Sequence, residues 1–262
     1  MANGFAYREI LGKTIHRYGI SASYGLDEAG VREALELGAN YIFWSPVKKF
    51  LRKVVKDVVM KDRERFMLAT GPILGYFPGS VRRATEKALR ASGSEYLDVL
   101  QVFYAGKMSF LTRSLIDEMV KLRDEGKVRA IGVSIHDRKH AAKLAAEGPL
   151  DFFMIRYNAA HPGAEVDIFP YLPHLPAKKP VIAAYTATCW TKLLRPPKGW
   201  SGLAATAGDC FRFCLTNPNV DLVISAPKTA AQMRENMKAL ERGPLDDEEM
   251  ARMRALGKAV HG

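Results

Sequence analysis

A chain of 262 residues with 48% hydrophobic side chains can bury a sizeable core, and about 250 residues suffice for one α/β barrel. It has no run of about 18 apolar residues and no apolar leader over Met1–Ile10, and its three cysteines (Cys189, Cys210, Cys214) are too few for a disulfide framework, so a membrane protein and a disulfide-stapled secreted domain are excluded and a cytoplasmic location is expected. The formal net charge of +11 is spread over several predicted helices (Lys48, Lys49, Arg52, Lys53, Arg82, Arg83, Lys139, Lys143) without interleaved aromatics, which argues against nucleic acid and for a solvated surface with an anionic small ligand.

Phe5–His16 reads as a short hairpin, and Arg17–Ser23 as a first strand. A helix starts at Asp27 and ends at Gly38. Asn40–Ser45 is a buried strand. Val47–Lys61 carries Leu51, Val54, Val55, Val58 and Val59 at helical spacing. Phe66–Thr70 is a strand closed by Gly71-Pro72, Ser80–Ala91 a helix, Leu97–Phe103 a strand. Phe110–Glu125 is a helix with Leu111, Leu115, Ile116, Met119, Val120 and Leu122 on its apolar face. Val128–Ser134, Phe152–Asn158, Val181–Tyr185 and Val220–Ser225 are strands; Asp137–Glu147, Gly208–Leu215, Thr229–Glu241 and Leu245–Val260 are helices.

Short, continuously apolar strands suit a parallel sheet covered on both faces. Eight of them alternating with helices predict a single (β/α)8 barrel domain over residues 1–262, with an N-terminal β-hairpin and a C-terminal extra helix. The turn after the first strand, Ser21-Ala22-Ser23-Tyr24-Gly25-Leu26, lacks the GxGxxG of an open dinucleotide-binding sheet. The active site of a barrel lies at the C-terminal ends of its strands: Ser45, Gly71, Phe103, Ser134, Asn158, Tyr185 and Ser225. The proline-rich stretch 159–199 is the least regular region and a candidate covering loop.

Six segments, in order, resemble the aldo-keto reductases: "YREILGKT", "ALELGANYIF", "RATEKALRASGSEYLDVLQVFY", "EGKVRAIGVS", "VIAAYTA" and "VISAPKTAAQMRENMKAL". "EGKVRAIGVS" (Glu125–Ser134) is the most specific, resembling the lead into the family's fifth barrel strand. The resemblance implies a reductase using NADPH. It implies that Ser134 holds the nicotinamide amide and Tyr185 stacks on its ring. It sets Lys228 and Gln232 near the adenosine ribose and its phosphate, and Glu235 and Asn236 at the adenine edge. The chain departs from the pattern at Ile135, Met154 and Ala226-Pro227. It also departs at the four positions of the family's catalytic aspartate, tyrosine, lysine and histidine, which read Phe43, Lys48, Gly71 and Phe103.

A rebuilt proton donor is therefore expected. Met154, Arg156 and Asn158 share one face of their strand, so Arg156 points to the barrel top, where it needs an internal carboxylate or an anionic substrate. His161 and Glu165 follow in the next loop, His136 and His140 follow Ser134, and Tyr104 adjoins the histidine position. The catalytic candidates are Arg156, His161 and Tyr104. Cys210 and Cys214 read as small buried core residues, and no metal-ligand set is assigned. The leading reading is an atypical NADPH-linked oxidoreductase acting on a small carbonyl substrate, anionic or aromatic in character. The alternatives are a non-redox lyase, dehydratase or isomerase in the same pocket, or a non-catalytic protein that binds cofactor or ligand.

Overall fold

A computed structural model describes residues 4–72, 77–104, 111–175 and 179–261, with Tyr104 described by its backbone alone. Strands β1 (Tyr7–Ile10) and β2 (Lys13–His16) form an antiparallel hairpin turned at Leu11-Gly12. Eight parallel strands then close in chain order: β3 (Tyr18–Ser21), β4 (Tyr41–Phe43), β5 (Met67–Thr70), β6 (Leu97–Tyr104), β7 (Val128–Ile135), β8 (Phe152–Arg156), β9 (Val181–Tyr185) and β10 (Leu222–Ser225), with β10 pairing back onto β3. Around them lie α1 (Glu28–Glu36), α2 (Lys49–Asp57), α3 (Pro78–Ser92), α4 (Arg113–Asp124), α5 (Arg138–Glu147), α6 (Ala164–Asp167), α7 (Ala207–Thr216) and α8 (Ala230–Ala239), and α9 (Asp247–His261) follows. This is the predicted (β/α)8 barrel with its hairpin and extra helix.

Local chemistry explains the boundaries. Asp27, Thr112, Asp137, Thr206 and Thr229 each accept a backbone N–H at a helix start, relieving donors the helix leaves unpaired. The sixth helix is a single turn followed by a 3-10 stretch, Phe169–His174, because Pro170 and Pro173 cannot donate to a continuing helix. Several predicted spans ran too long, and two show a physical reason. The strand from Phe152 stops at Arg156, since the buried Asn158 accepts the N–H groups of Ala160 and His161 and folds the chain back. The helix from Val47 begins at Lys49 and breaks after Asp57 into a 3-10 turn, Val59–Asp62.

Alternate strand residues fill the barrel axis. Tyr41, Met67, Val99, Phe152 and Met154 belong to this inner cluster, and Tyr41 stacks on Phe152 with ring centroids 5.9 Å apart. Ile10 and Ile15 of the hairpin join it from the N-terminal end. The hairpin is also held by charge: Lys13 Nζ lies 2.9 Å from Asp98 and donates to the Phe66 carbonyl at 2.7 Å. Cys210 and Cys214 are buried free thiols in the helix layer, as expected. Among the described residues, no helix is long and apolar enough to cross a membrane.

His16 carries a pH dependence. Its ring is buried and its Nδ1 accepts the Tyr18 N–H at 3.1 Å; burial pushes its pKa down to about 4 from 6.5. Between these values the unfolded chain binds more protons than the folded one. The stability is therefore fully present above about pH 6.5 and falls toward pH 4, by up to about 3 kcal/mol. Urea midpoints at pH 7 and pH 4.5 should show this loss, and His16→Asn should flatten it. An equal acid loss in the variant would assign the effect elsewhere.

Candidate active site

The C-terminal ends of the strands open into a cleft of about 1020 Å³. Drug-sized ligands occupy roughly 300–1,000 Å³, so this cleft suits a larger ligand or two ligands side by side. Phe43 and Phe103 lie on its barrel side, edge to face with centroids 5.7 Å apart. The wall beyond β10 runs through Ser225, Ala226 and Pro227 to the first turns of α8. The loop after β3 presses against it. A Cβ on Gly25, whose φ is +81°, would lie 2.1 Å from the Pro227 carbonyl oxygen, so only glycine allows this approach.

Five of the six residues expected to hold the cofactor line this cleft: Tyr185, Lys228, Gln232, Glu235 and Asn236. Lys228, Gln232 and Glu235 are exposed to it. Gln232 Oε1 accepts the Lys228 N–H at 3.0 Å, tying the loop to the helix. Asn236 is buried, and its Nδ2 donates to the Tyr18 hydroxyl at 3.1 Å, so part of its amide is already engaged. Ser134 is not a lining residue. It is 7% exposed and lies in register beside Met154, which does line the cleft.

A second group of polar side chains stands at the edge of the cleft. The Tyr185 hydroxyl and His136 Nδ1 are hydrogen-bonded at 2.7 Å. Burial pushes the Tyr185 phenol up to about 12 against the opposing pull of Arg156. Partial desolvation, and then the charge of Arg156, hold both His136 and His161 below the usual imidazole range. His161 Nδ1 lies 3.2 Å from Asn158 Oδ1. A carboxamide oxygen only accepts, so Nδ1 carries the hydrogen and Nε2 is left as the titrating atom. Cys189 Sγ is 3.7 Å from the same Nδ1, but burial raises its pKa and it packs as a neutral thiol.

Of the two partners expected for Arg156, an internal carboxylate or an anionic substrate, the first is not found among the described residues. Among the described residues Arg156 makes no ion pair; its guanidinium carbon lies 6.0 Å from the centre of the Trp190 ring. Glu165 is committed elsewhere, accepting the Tyr157 hydroxyl at 2.6 Å and pairing with Arg254 at 3.0 Å. The Tyr104 side chain lies outside the described residues. Neither Arg156 nor His161 lines the cleft; both lie near Trp190, which does, and whose ring centre is 6.2 Å from that of His161.

Residues 24–188, well over half of the chain, match the model of the aldo/keto reductase family. The chain belongs to the aldo/keto reductase family. A stretch of 95 residues is 26% identical to an NADH-specific methylglyoxal reductase of Escherichia coli (strain K12), covering 36% of this chain and 29% of that protein. Two solved structures share the fold. The aldo-keto reductase AKR11C1 from Bacillus halodurans in its holo form superposes with a TM-score of 0.75 at 19% identity, covering 97% of this chain and 96% of that one. An aldo/keto reductase from Klebsiella pneumoniae, in complex with NADP and acetate, superposes with a TM-score of 0.72 at 21% identity, covering 94% and 92%.

For an aldo/keto reductase, some lining residues were invisible to pattern reading. Tyr24, Trp190, Arg195 and Phe211 all line the cleft and come from loops and from α7, with no periodicity of their own. A faint signal for the loop after β9 was its short polar and β-branched run, Thr186-Ala187-Thr188-Cys189-Trp190-Thr191. The hydrogen bond between Tyr185 and His136 joins residues 49 apart in sequence, so no spacing rule could reveal it.

Proposed function

We propose that this aldo/keto reductase carries out the NADPH-linked reduction of a small carbonyl substrate, with a proton donor outside the family's usual positions. The observation that carries this reading is that Tyr185, Lys228, Gln232, Glu235 and Asn236 line one cleft. The donor set fits the cofactor: an aromatic face for the nicotinamide, an exposed ammonium for a phosphate, and a carboxylate and a carboxamide for the adenine edge. Ser134, buried beside Met154, would reach the carboxamide of the nicotinamide only after a side-chain adjustment. When bound, NADPH supplies the hydride for carbonyl reduction.

The chain's own residues then have three tasks. Phe43 and Phe103 keep water from the reacting carbon. Arg156 orients the substrate by its charge. His161, fixed through Nδ1 by Asn158, gives a proton from Nε2 to the developing alkoxide, and Tyr104 is the third candidate for that step. Because only the imidazolium form donates, and burial and Arg156 hold His161 below the usual imidazole range, turnover should rise as pH falls through that lowered range. The bond to His136 fixes the Tyr185 ring.

Fluorescence titration with NADPH and NADH, followed by a carbonyl screen, tests the reading. The E. coli relative is NADH-specific, so the choice of dinucleotide is informative: Lys228→Ala should weaken NADPH about tenfold and leave NADH unchanged. His161→Ala should lower turnover about 100-fold and remove the acid limb of the profile; Arg156→Ala should lower it too, and Tyr104→Phe tests the remaining candidate. Binding without turnover would make this a cofactor-binding protein. No binding of either dinucleotide would move the chain to non-redox chemistry in the same pocket.

A further inference from the structure

Arg156 is the last residue of β8, in register with Tyr185 and half-buried. Several arginines elsewhere in this chain have found carboxylates, Arg63 with Asp98, Arg138 with Asp167, Arg212 with Glu249 and Arg254 with Glu165, and the buried Arg17 donates to backbone carbonyls. A half-buried guanidinium with neither kind of partner leaves the desolvation of its charge uncompensated. Its neighbours make the deficit larger. His161 lies in the combined field of Arg156, His261, Lys192 and Arg138. Beside the cleft, next to Trp190, Arg156 stands without a counter-charge among the described residues.

The aromatic surroundings describe the rest of the ligand. Trp190 is 56% exposed and lines the cleft beside Arg156. It sits in a run of three residues with left-handed backbone: Cys189, Trp190 and Thr191, with φ of 50°, 51° and 71°. Such a conformation costs roughly 1–2 kcal/mol per non-glycine residue, and strain of this kind collects at ligand clamps. The turn is held by Cys189 N–H to Thr186 O at 2.8 Å and Lys192 N–H to Cys189 O at 3.0 Å. Phe43 and Phe103, which line the same cleft, offer a second apolar surface.

We propose that the substrate is an aryl oxo acid, its carboxylate held by Arg156 and its flat ring placed against Trp190. This rests on the carbonyl-reductase reading, since the carbonyl is the group reduced, and the carboxylate is unchanged in the reaction. A planar guanidinium takes a carboxylate through two parallel hydrogen bonds, while the indole supplies flat apolar area at little entropic cost.

The test has a binding arm and a turnover arm. Benzoate, which cannot be reduced, is titrated by tryptophan fluorescence without cofactor, with Trp190→Phe identifying the reporter. Arg156→Met should weaken benzoate about tenfold or more and Arg156→Lys should recover part of the loss, with benzyl alcohol unaffected. In turnover, 4-carboxybenzaldehyde should exceed benzaldehyde in kcat/KM by about tenfold or more, and the ratio should fall to about one in Arg156→Met. Equal benzoate affinity in wild type and Arg156→Met would overturn the assignment, as would inorganic phosphate displacing benzoate at lower concentration than free carboxylates do. If neither aldehyde is reduced but benzoate binding still depends on Arg156, the reductase reading fails and the carboxylate subsite stands.

Discussion

Gly71→Lys, the change that would restore a lysine where the family resemblance expects one, should destabilise the protein by roughly 3 kcal/mol or more instead of rebuilding a catalytic group. The cause is backbone contact. A Cβ at this position would lie 1.6 Å from the Gln101 carbonyl oxygen and 2.8 Å from its carbon. No rotamer relieves a clash that begins at Cβ, and Gln101 is held in the middle of β6 by its pairing with Gly132 on β7. Gly71→Ala isolates the steric part. Urea unfolding of both variants beside the wild type measures the cost; an alanine variant within about 1 kcal/mol of wild type would show that the ends of β5 and β6 separate easily. The consequence is that a lysine at this position would have to displace the Gln101 backbone.

Asp98→Asn is the second large effect, at about 3–5 kcal/mol. Asp98 is buried at the opposite end of the barrel from the cleft. It pairs with Lys13 at 2.9 Å and Arg63 at 2.6 Å, and its Oδ2 accepts the Leu68 N–H at 2.8 Å. Lys13 and Asp98 side chains are only 5% and 2% exposed. An asparagine leaves the Lys13 ammonium buried without its counter-charge, and an uncompensated buried charge costs more than the pair was worth. Removing both charges, with Lys13→Met and Asp98→Asn, should therefore cost less than Asp98→Asn alone. Thermal or urea denaturation of the single and double variants decides it. A double variant worse than the single would mean that the bonds from Lys13 to the Arg63 and Phe66 carbonyls outweigh the cost of its unpaired charge.

The fold was legible because its signals are local. Caps such as Asp27 and Thr229 act within four residues, and the apolar runs of Val128–Ile135 and Val181–Tyr185 need no partner to be read as buried strands. The candidate site was legible in part, through resemblance. The segment ending in Lys228, Gln232, Glu235 and Asn236 spans one turn and one helix, so its order along the chain fixes its order along the cleft wall. Ser134 was harder. Its place on β7 was evident, but whether it meets the cleft depends on Met154, one strand away.

From sequence alone, the chain determined a (β/α)8 barrel, its hairpin and last helix, and the family it resembles. These are matters of periodicity, capping and residue identity. Tertiary structure decided what no spacing encodes: that Gly71 is pressed against Gln101, that Tyr185 meets His136, that Glu165 is spent on Tyr157 and Arg254, and that Arg156 stands beside Trp190 with no carboxylate partner among the described residues. Each depends on which side chains from distant strands converge at one end of the barrel, and closure of the sheet sets that convergence.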